Sequence, residues 1–272
     1  MIGNLLRWLV AAAVLYALAA FAAFLSQEFF LFPGRRTTNG QRAVGVSNDY
    51  EQLHLDIEGV GQAYGLYRHV NDARHAALVF LDDDECVANA LPVLEAFAGI
   101  GIAALCVDYP GYGGSLGKPS ADHIRTMAQA CYQNLVNTRD FDERRVWMVG
   151  RGFGSGPACY VAAHWTVAGV VLLAPATSFK AQAALRYRWL PVRQLMRHEF
   201  DNAAQLAGIR QPTFIAWCQD DARVPAAMPE RLVQVAAGPV TRWTQPTGGH
   251  DGVRIEPNNA LIRAIEDFIR SR

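Results

Sequence analysis

The chain has 272 residues, which is enough for one large α/β domain with a short appendage. Its apolar fraction of 51% excludes a disordered chain and supplies a sizeable core. Because 25 basic side chains balance 25 acidic ones, no net charge favours nucleic acid, and we expect no nucleic-acid partner.

The N-terminus carries a candidate membrane helix. Residues 8–25 form an uncharged apolar run, near the length that spans a bilayer. A secretory signal peptide would have a shorter apolar region and a clear small-x-small cleavage site, whereas here residues 29–32 are apolar again. We therefore expect an uncleaved single-pass anchor over residues 1–32, in contact with membrane lipid, with the phenylalanines at 29, 30 and 32 near the interface. The membrane side stays open, because basic residues both precede and follow the run.

A polar linker is expected over residues 33–49, and strands then alternate with helices. Two short alternating segments, residues 53–57 and 63–70, predict a β-hairpin. Continuous apolar runs, typical of strands covered on both faces, follow at residues 76–81, 102–107, 146–149, 167–173 and 213–217. A last short strand is predicted at residues 240–245, and helices are predicted at 87–98, 121–137, from 153 onward, 224–235 and 259–269.

This alternation predicts a mostly parallel central sheet flanked by helices, in one domain over residues 50–272. Residues 178–201 interrupt the alternation and are predicted to form a short cap. The cap mixes basic and apolar side chains. Such a pattern is typical of an amphipathic lid over a pocket, which we favour, or of a surface that faces anionic lipid headgroups beside the anchor.

A glycine-rich turn follows the predicted strand at residues 146–149. Residues 150–156 read Gly-Arg-Gly-Phe-Gly-Ser-Gly and lead into a helix, which is the context of a nucleophile elbow. In the G-x-S-x-G form the middle position is serine. Here it is Gly152, which has no side chain and cannot form an acyl-enzyme. Taken alone, the turn also fits a purely structural connection between a strand and a helix.

Two later loops supply a candidate acid and a candidate base. Asp221 follows the predicted strand at 213–217, and His250 follows the one at 240–245. The chain order elbow, acid, histidine is that of α/β-hydrolases. In such a site Asp221 holds His250 in one tautomer and stabilises its cation, so that the imidazole can take a proton from a nucleophile.

The chain resembles the membrane-anchored α/β-hydrolases that include depalmitoylase-like and lysophospholipase-like serine hydrolases. Residues 108–120, DYPGYGGSLGKPS, are similar to that family's D-Y-R-G-Y-G-x-S-x-G-x-P-S signature, with Pro110 in place of the arginine. The resemblance covers roughly residues 50–270. It implies an α/β-hydrolase fold with ester or acyl chemistry, and it places Gly152 at the nucleophile position, Asp221 at the acid and His250 at the base.

The oxyanion loop departs from the family pattern. A His-Gly-Asn-Gly-like loop is usual after the first buried strand, whereas residues 81–85 read Leu-Asp-Asp-Asp-Glu. The backbone N–H groups of Phe153 and Asp82 are the candidate oxyanion donors, but acidic side chains beside them would destabilise a developing oxyanion. The same carboxylates could ligate Mg²⁺ or Ca²⁺. We favour a solvated acidic loop and expect no metal and no cofactor.

These features predict a membrane-tethered α/β-hydrolase-like protein that has lost its serine nucleophile. It would be non-catalytic or divergent, and it would bind or act on lipid or acyl groups. The alternative is an active esterase or lysophospholipase-like hydrolase. That reading needs a substitute nucleophile, for which Ser155 is a weak candidate and Ser115 a weaker one, or a water molecule activated by His250.

Overall fold

The structure, a computed structural model, describes residues 2–43 and 47–272. Its strands are β1 (Tyr50–Ile57), β2 (Gly61–Arg68), β3 (Ala76–Phe80), β4 (Ala103–Val107), β5 (Val146–Arg151), β6 (Gly169–Leu173), β7 (Thr213–Cys218) and β8 (Val240–Gln245). Its helices are α1 (Ile2–Leu25), α2 (Gln27–Leu31), α3 (Gly34–Thr37), α4 (Leu91–Gly99), α5 (Ala121–Gln133), α6 (Ser155–His164), α7 (Phe179–Arg186), α8 (Val192–Leu195), α9 (Asn202–Leu206), α10 (Ala227–Val235) and α11 (Ala260–Arg270).

The strands form one sheet in the order β1-β2-β4-β3-β5-β6-β7-β8. β1 and β2 make an antiparallel hairpin, and β2 also runs antiparallel to β4. The neighbours from β4 through β3 to β8 are all parallel. Every residue of β3 to β7 is buried, because helices cover both faces of the sheet. The sheet architecture predicted from the alternating pattern is therefore confirmed.

Two apolar cores lie on opposite faces of the sheet. One is built around α5 and α6, where Ile124 and Val161 are fully buried. The other lies under α4 and α11, where Leu94, Ile265 and Phe268 pack. The parallel strands all end at one edge between these cores, so the loops that follow them meet there.

The N-terminal segment contains an apolar helix and then joins the domain. Within α1, residues 4–25 are long and apolar enough to cross a bilayer by length and composition. Only 6% of the most apolar 18-residue stretch among them is buried in protein. Phe32 is only 1% exposed and packs against Phe153 and Phe179, so its expected place at a membrane interface is wrong. An aromatic residue after an anchor has the same sequence signature whether it faces lipid or a protein core.

The expected polar linker is partly docked on the domain. The N–H of Gly34 donates to the carbonyl oxygen of Asp83 at 3.0 Å. The hydroxyl of Thr38 accepts a hydrogen bond from the N–H of Gly113 at 3.1 Å. Residues 33–43 therefore lie against the loops at the carboxyl edge of the sheet, while linker residues 44–46 are outside the described part of the chain.

Candidate active site

The glycine-rich turn has the geometry of a nucleophile elbow. β5 ends at Arg151, a 3-10 turn covers Gly152–Gly154, and α6 follows directly. Gly152 has φ +51°, the left-handed conformation found at the nucleophile of such elbows. A Cβ added at Gly154 would overlap the carbonyl oxygen of Phe80, so helix and strand approach too closely for any side chain there.

The predicted acid and base lie together at the carboxyl edge of the sheet. Nδ1 of His250 lies 2.7 Å from Oδ2 of Asp221. The other carboxylate oxygen of Asp221 accepts hydrogen bonds from the N–H groups of Arg223 at 2.7 Å and Val224 at 2.9 Å. Burial raises the pKa of Asp221, but the hydrogen bonds from His250 and from these N–H groups outweigh it and hold the pKa below its ordinary value.

The space above Gly152 is filled by the side chain of Asp82. A Cβ added at Gly152 would overlap Oδ1 of Asp82, and the Asp82 side chain is fully buried. Oδ1 accepts hydrogen bonds from the N–H of Phe153 at 2.9 Å and from the N–H of Asp83 at 2.8 Å. Oδ2 lies 2.7 Å from Nε2 of His250. One carboxylate thus occupies the oxyanion donors and the imidazole that acyl transfer would need.

The two backbone N–H groups that face the site are those of Phe153 and Asp83, whereas Phe153 and Asp82 were the expected oxyanion donors. The N–H of Phe153 points into the site, as the sequence predicts for the residue after the elbow position. The N–H of Asp82, however, donates to Oε2 of Glu85 at 3.2 Å, and the second donor is the N–H of Asp83. The sequence does not single out Asp83, because the conformation of the loop decides which amide faces inward and no residue type marks it.

His250 carries a carboxylate on each ring nitrogen. Ionised carboxylates accept hydrogen bonds and cannot donate them, so both ring nitrogens must carry hydrogen. Burial disfavours the imidazolium, but the hydrogen bonds and charges of Asp221 and Asp82 outweigh it and raise the pKa of His250 to about 9. His250 is therefore an imidazolium at neutral pH. A general base has to be free to accept a proton, and this side chain already holds one.

Two arginines balance the acidic loop. Arg151, which is buried, pairs with Glu85 at 2.8 Å and with Asp251 at 2.7 Å. Arg223 pairs with Asp83 at 2.7 Å. The expectation of a solvated acidic loop is therefore wrong for its buried part, since the charges of the loop are neutralised inside the protein.

The arginines do not cancel every unfavourable interaction in the loop. Burial and the charge of Asp82 raise the pKa of Asp83 to about 7, although Arg223 lowers it. Oxygens of Asp82, Asp83 and Asp84 lie within 4.8 Å of one another, as the ligands of a hard cation would. Each of these carboxylates already has a cationic partner: His250 for Asp82, and Arg223 for the other two.

The two serines considered as substitute nucleophiles are bonded elsewhere. The hydroxyl of Ser155 is fully buried and donates to the carbonyl oxygen of Gly150 at 3.4 Å. The hydroxyl of Ser115 donates to the carbonyl oxygen of Asp108 at 2.9 Å and accepts from the N–H of Tyr64 at 2.8 Å. Both therefore serve local backbone geometry, while Nε2 of His250 is occupied by Asp82.

Comparisons with known proteins agree with this architecture. No family model matches the chain. An uncharacterized protein of Mycobacterium tuberculosis is 32% identical over 174 residues, which cover 64% of this chain and 62% of that protein. The α/β hydrolase domain-containing protein 17B of Homo sapiens is 24% identical over 179 residues, covering 64% of this chain and 59% of that protein. The chain thus matches less than two thirds of the length of either relative.

Solved structures match over most of the chain. An α/β hydrolase from Vibrio vulnificus superimposes with a TM-score of 0.71 at 19% identity, covering 92% of this chain and 93% of that one. An esterase from Pyrococcus furiosus gives a TM-score of 0.67 at 17% identity, covering 87% of this chain and 97% of that one. The strand order of the sheet and the chain order of elbow, acid and histidine are those of an α/β-hydrolase fold. The chain thus has the α/β-hydrolase fold and is similar in sequence to an α/β hydrolase domain-containing protein.

Proposed function

We propose that this protein is a membrane-tethered α/β-hydrolase homologue whose catalytic centre is closed by its own Asp82, and that it binds lipid or acyl groups without cleaving them. The observation that carries the proposal is the position of His250 between two carboxylates, each 2.7 Å from a ring nitrogen. Gly152 offers no nucleophile, Asp82 fills the oxyanion donors, and His250 holds a proton.

Opening this centre would require breaking a buried ionic network. Burial raises the pKa of Asp82, but His250, Arg151 and Arg223 outweigh it and hold the pKa below its ordinary value. Removing one partner from a buried pair destabilises a protein by about 3–5 kcal/mol, because the other charge is left uncompensated. A substrate carbonyl is neutral and cannot replace the charge of Asp82 beside the imidazolium. We therefore expect substrates to be excluded from the oxyanion donors.

A ligand cleft lies beside the closed centre. It has a volume of about 630 Å³ and lies between α2, the cap and the acidic loop. Phe30 and Phe179 contribute apolar surface, and Arg186 and Asp84 contribute charges. A cleft with an apolar wall and a charged end suits an amphiphile, and its wall begins where the apolar N-terminal helix ends. This continuity supports a lipid or acyl ligand reached from a membrane.

Hydrolysis by an activated water is the alternative, and it requires Nε2 of His250 to be free. That nitrogen is bonded to Asp82 at 2.7 Å, so the alternative needs Asp82 to leave the site first. Activity of this kind would depend on His250 and would not require any serine. The experiment below separates it from the closed site.

The proposal is tested by trying to restore the site. The full chain, purified in detergent, is compared with Gly152→Ser and with the double variant Gly152→Ser/Asp82→Ala. We expect no fluorophosphonate labelling and no p-nitrophenyl ester turnover in the wild type, which has no hydroxyl at 152, or in Gly152→Ser, because the new side chain overlaps Asp82 and the carboxylate still competes for the imidazole and the N–H donors. The double variant should label, since a hydroxyl, a free imidazole and two free N–H donors then meet.

The matched control adds His250→Ala to the double variant, which should abolish the labelling. Thermal unfolding of each variant checks that the fold persists. Ester turnover by the wild type that disappears in His250→Ala would contradict the proposal and favour the activated water. Failure of a folded double variant to label would show that Asp82 is not what closes the site.

A further inference from the structure

The cap packs along the side of α1 and not beyond its end. The hydroxyl of Tyr16 donates to the carbonyl oxygen of Trp189 at 3.0 Å. Nearer the end of the helix, the side-chain oxygen of Gln27 accepts a hydrogen bond from the N–H of Arg197 at 2.9 Å. These two contacts hold opposite ends of the segment 189–197 against the N-terminal helical segment.

The contact with Tyr16 places part of the cap deep along the helix. Tyr16 precedes Leu25, the last residue of α1, by nine residues, which corresponds to about 13 Å at ~1.5 Å per residue. Helical side chains point toward the N-terminus of their helix, which adds to this depth. The polar headgroup layer of one leaflet is about 5–8 Å thick, less than this distance. If α1 spans a bilayer up to Leu25, Trp189 lies below the headgroups.

The surface chemistry of the cap fits that depth. Trp189 is 60% exposed and Leu185 is 38% exposed, so the cap presents two large apolar side chains that protein does not cover. Between the cap and α1 runs a narrow cleft of about 90 Å³, lined mainly by apolar side chains such as Phe24 and Met196. Lipid tails, unlike water, favour contact with such surfaces.

Basic side chains flank this apolar surface. Arg188 and Arg193 are exposed and lie on either side of Trp189 in the chain. Long arginine side chains can keep their apolar stems in the hydrocarbon boundary while the guanidinium reaches the phosphates. The combination of an apolar edge with flanking arginines is typical of a segment that lies in a membrane interface.

We propose that the cap is a second membrane-contacting element of this protein. The side chains of Leu185 and Trp189 insert among the acyl chains of the leaflet that α1 enters, Arg188 and Arg193 contact the phospholipid headgroups, and a lipid chain fills the cleft beside α1. This rests on the tether in the proposed function, because it requires α1 to span the bilayer. It is independent of whether the catalytic centre is closed.

Depth-dependent quenching tests the insertion. The native cysteines in the described chain are all buried, so a thiol-reactive NBD fluorophore can be directed to one introduced cysteine. The full chain in phosphatidylcholine nanodiscs carries the probe at Trp189→Cys, with Leu185→Cys as a second position on the same edge. Leu15→Cys, at a side chain of α1 that is 69% exposed, serves as the membrane reference, and Arg74→Cys, just before β3 at the opposite edge of the sheet, as the aqueous reference.

We expect doxyl-labelled phosphatidylcholine to quench the probes at 189, 185 and 15 several-fold more than the probe at 74. Iodide in the buffer should quench the probe at 74 more strongly than the probes at 189, 185 and 15. If 15 is quenched by lipid while 189 and 185 behave like 74, the cap proposal is overturned and the tether stands. If iodide reaches 15 as well, the tether and the cap proposal both fail. Neither result bears on Asp82, whose role the fluorophosphonate experiment measures separately.

Discussion

At the residue scale, Asp82 makes the hydrogen bonds that an acyl group would make in an active hydrolase. Its Oδ1 lies between two backbone N–H donors, as an oxyanion would, and its Oδ2 faces Nε2 of His250, as the oxygen of a serine nucleophile would. The carboxylate is therefore an internal analogue of the bound reaction intermediate. Its charge makes it a better partner for the imidazolium than a neutral ester, which is why we expect it to stay.

The protonation of His250 gives the first prediction. In the wild type, NMR of ¹⁵N-histidine-labelled protein should show His250 as a cation up to a pH near its pKa of about 9. In Asp82→Asn we expect that pKa to fall by about 1 to 3, because an amide can donate to a neutral ring nitrogen and carries no charge. Asp84→Asn is the matched control: Asp84 pairs with Arg223, so this substitution should leave the pKa of His250 unchanged. A wild-type His250 that titrates near 6.5 would contradict the two-carboxylate geometry.

The second prediction concerns Gly152, where any added side chain would overlap Asp82. Gly152→Ala should destabilise the protein by more than the strain of a positive φ alone, because the added Cβ meets the carboxylate of Asp82. Gly59 has φ +75° with no atom within 4 Å of an added Cβ, so Gly59→Ala isolates the strain, about 1–3 kcal/mol. The excess should disappear in Asp82→Ala/Gly152→Ala, as denaturant unfolding in detergent can show. Additive effects of the two substitutions would mean that they do not touch.

At the element scale, the sequence predicted the sheet well and the site loop poorly. The apolar runs predicted β3 to β7 because parallel strands are covered on both faces, and this requirement leaves a local pattern. The loop after β3 carries no such pattern. The contact between Asp82 and His250 joins residues 168 positions apart, and only the assembled sheet brings them together. The acidic residues were visible in the sequence, but the direction of each amide and carboxylate was not.

The short segment after α1 gives a prediction at this scale. The ring of Phe32 lies 5.9 Å from that of Phe153 and 6.0 Å from that of Phe179, so it joins the N-terminal segment to the elbow and the cap. Phe32→Ala should destabilise the domain by about 3–5 kcal/mol through the lost apolar contacts and the cavity left behind. Phe29, which is exposed, is the control, and Phe29→Ala should cost about 1 kcal/mol or less. Equal effects in thermal unfolding would show that Phe32 is not a core residue.

At the scale of the whole molecule, a network of ion pairs and hydrogen bonds crosses the carboxyl edge of the sheet. Asp82 follows β3, Arg151 ends β5, Asp221 follows β7 and His250 follows β8. Their hydrogen bonds and ion pairs connect the ends of four strands whose apolar cores lie on opposite faces. In an enzyme these groups would have to stay available for substrate. Here they are bound to one another, so their interactions contribute to the stability of the fold. Because these groups titrate, the free energy of unfolding should depend on pH.

The direction of that dependence follows from the pKa of His250, which is raised from its ordinary 6.5 to about 9. A raised pKa contributes stability that is fully present below about 6.5 and is lost as the pH rises through about 9, a loss on the order of 3 kcal/mol. Asp82 and Asp221 have lowered pKa values, so their contributions are present above the ordinary carboxyl range and are lost as the pH falls. The raised pKa of Asp83, about 7, acts in the opposite direction: its contribution is favourable below about pH 4, is lost as the pH rises through about 7, and stays lost above that pH.

We therefore expect the free energy of unfolding, measured with denaturant in detergent, to fall steeply between pH 6.5 and 9. In His250→Gln the protein should be less stable at pH 6.5, and the part of the decline that runs from about pH 7.5 to 9 should disappear, because the imidazole is gone and only Asp83 titrates, near pH 7. Asp84→Asn should keep the wild-type slope. A wild-type stability that stays level from pH 6.5 to 9 would mean that His250 is neutral in the folded protein. The imidazolium would then be absent, and Asp82 would hold the site by some means other than charge.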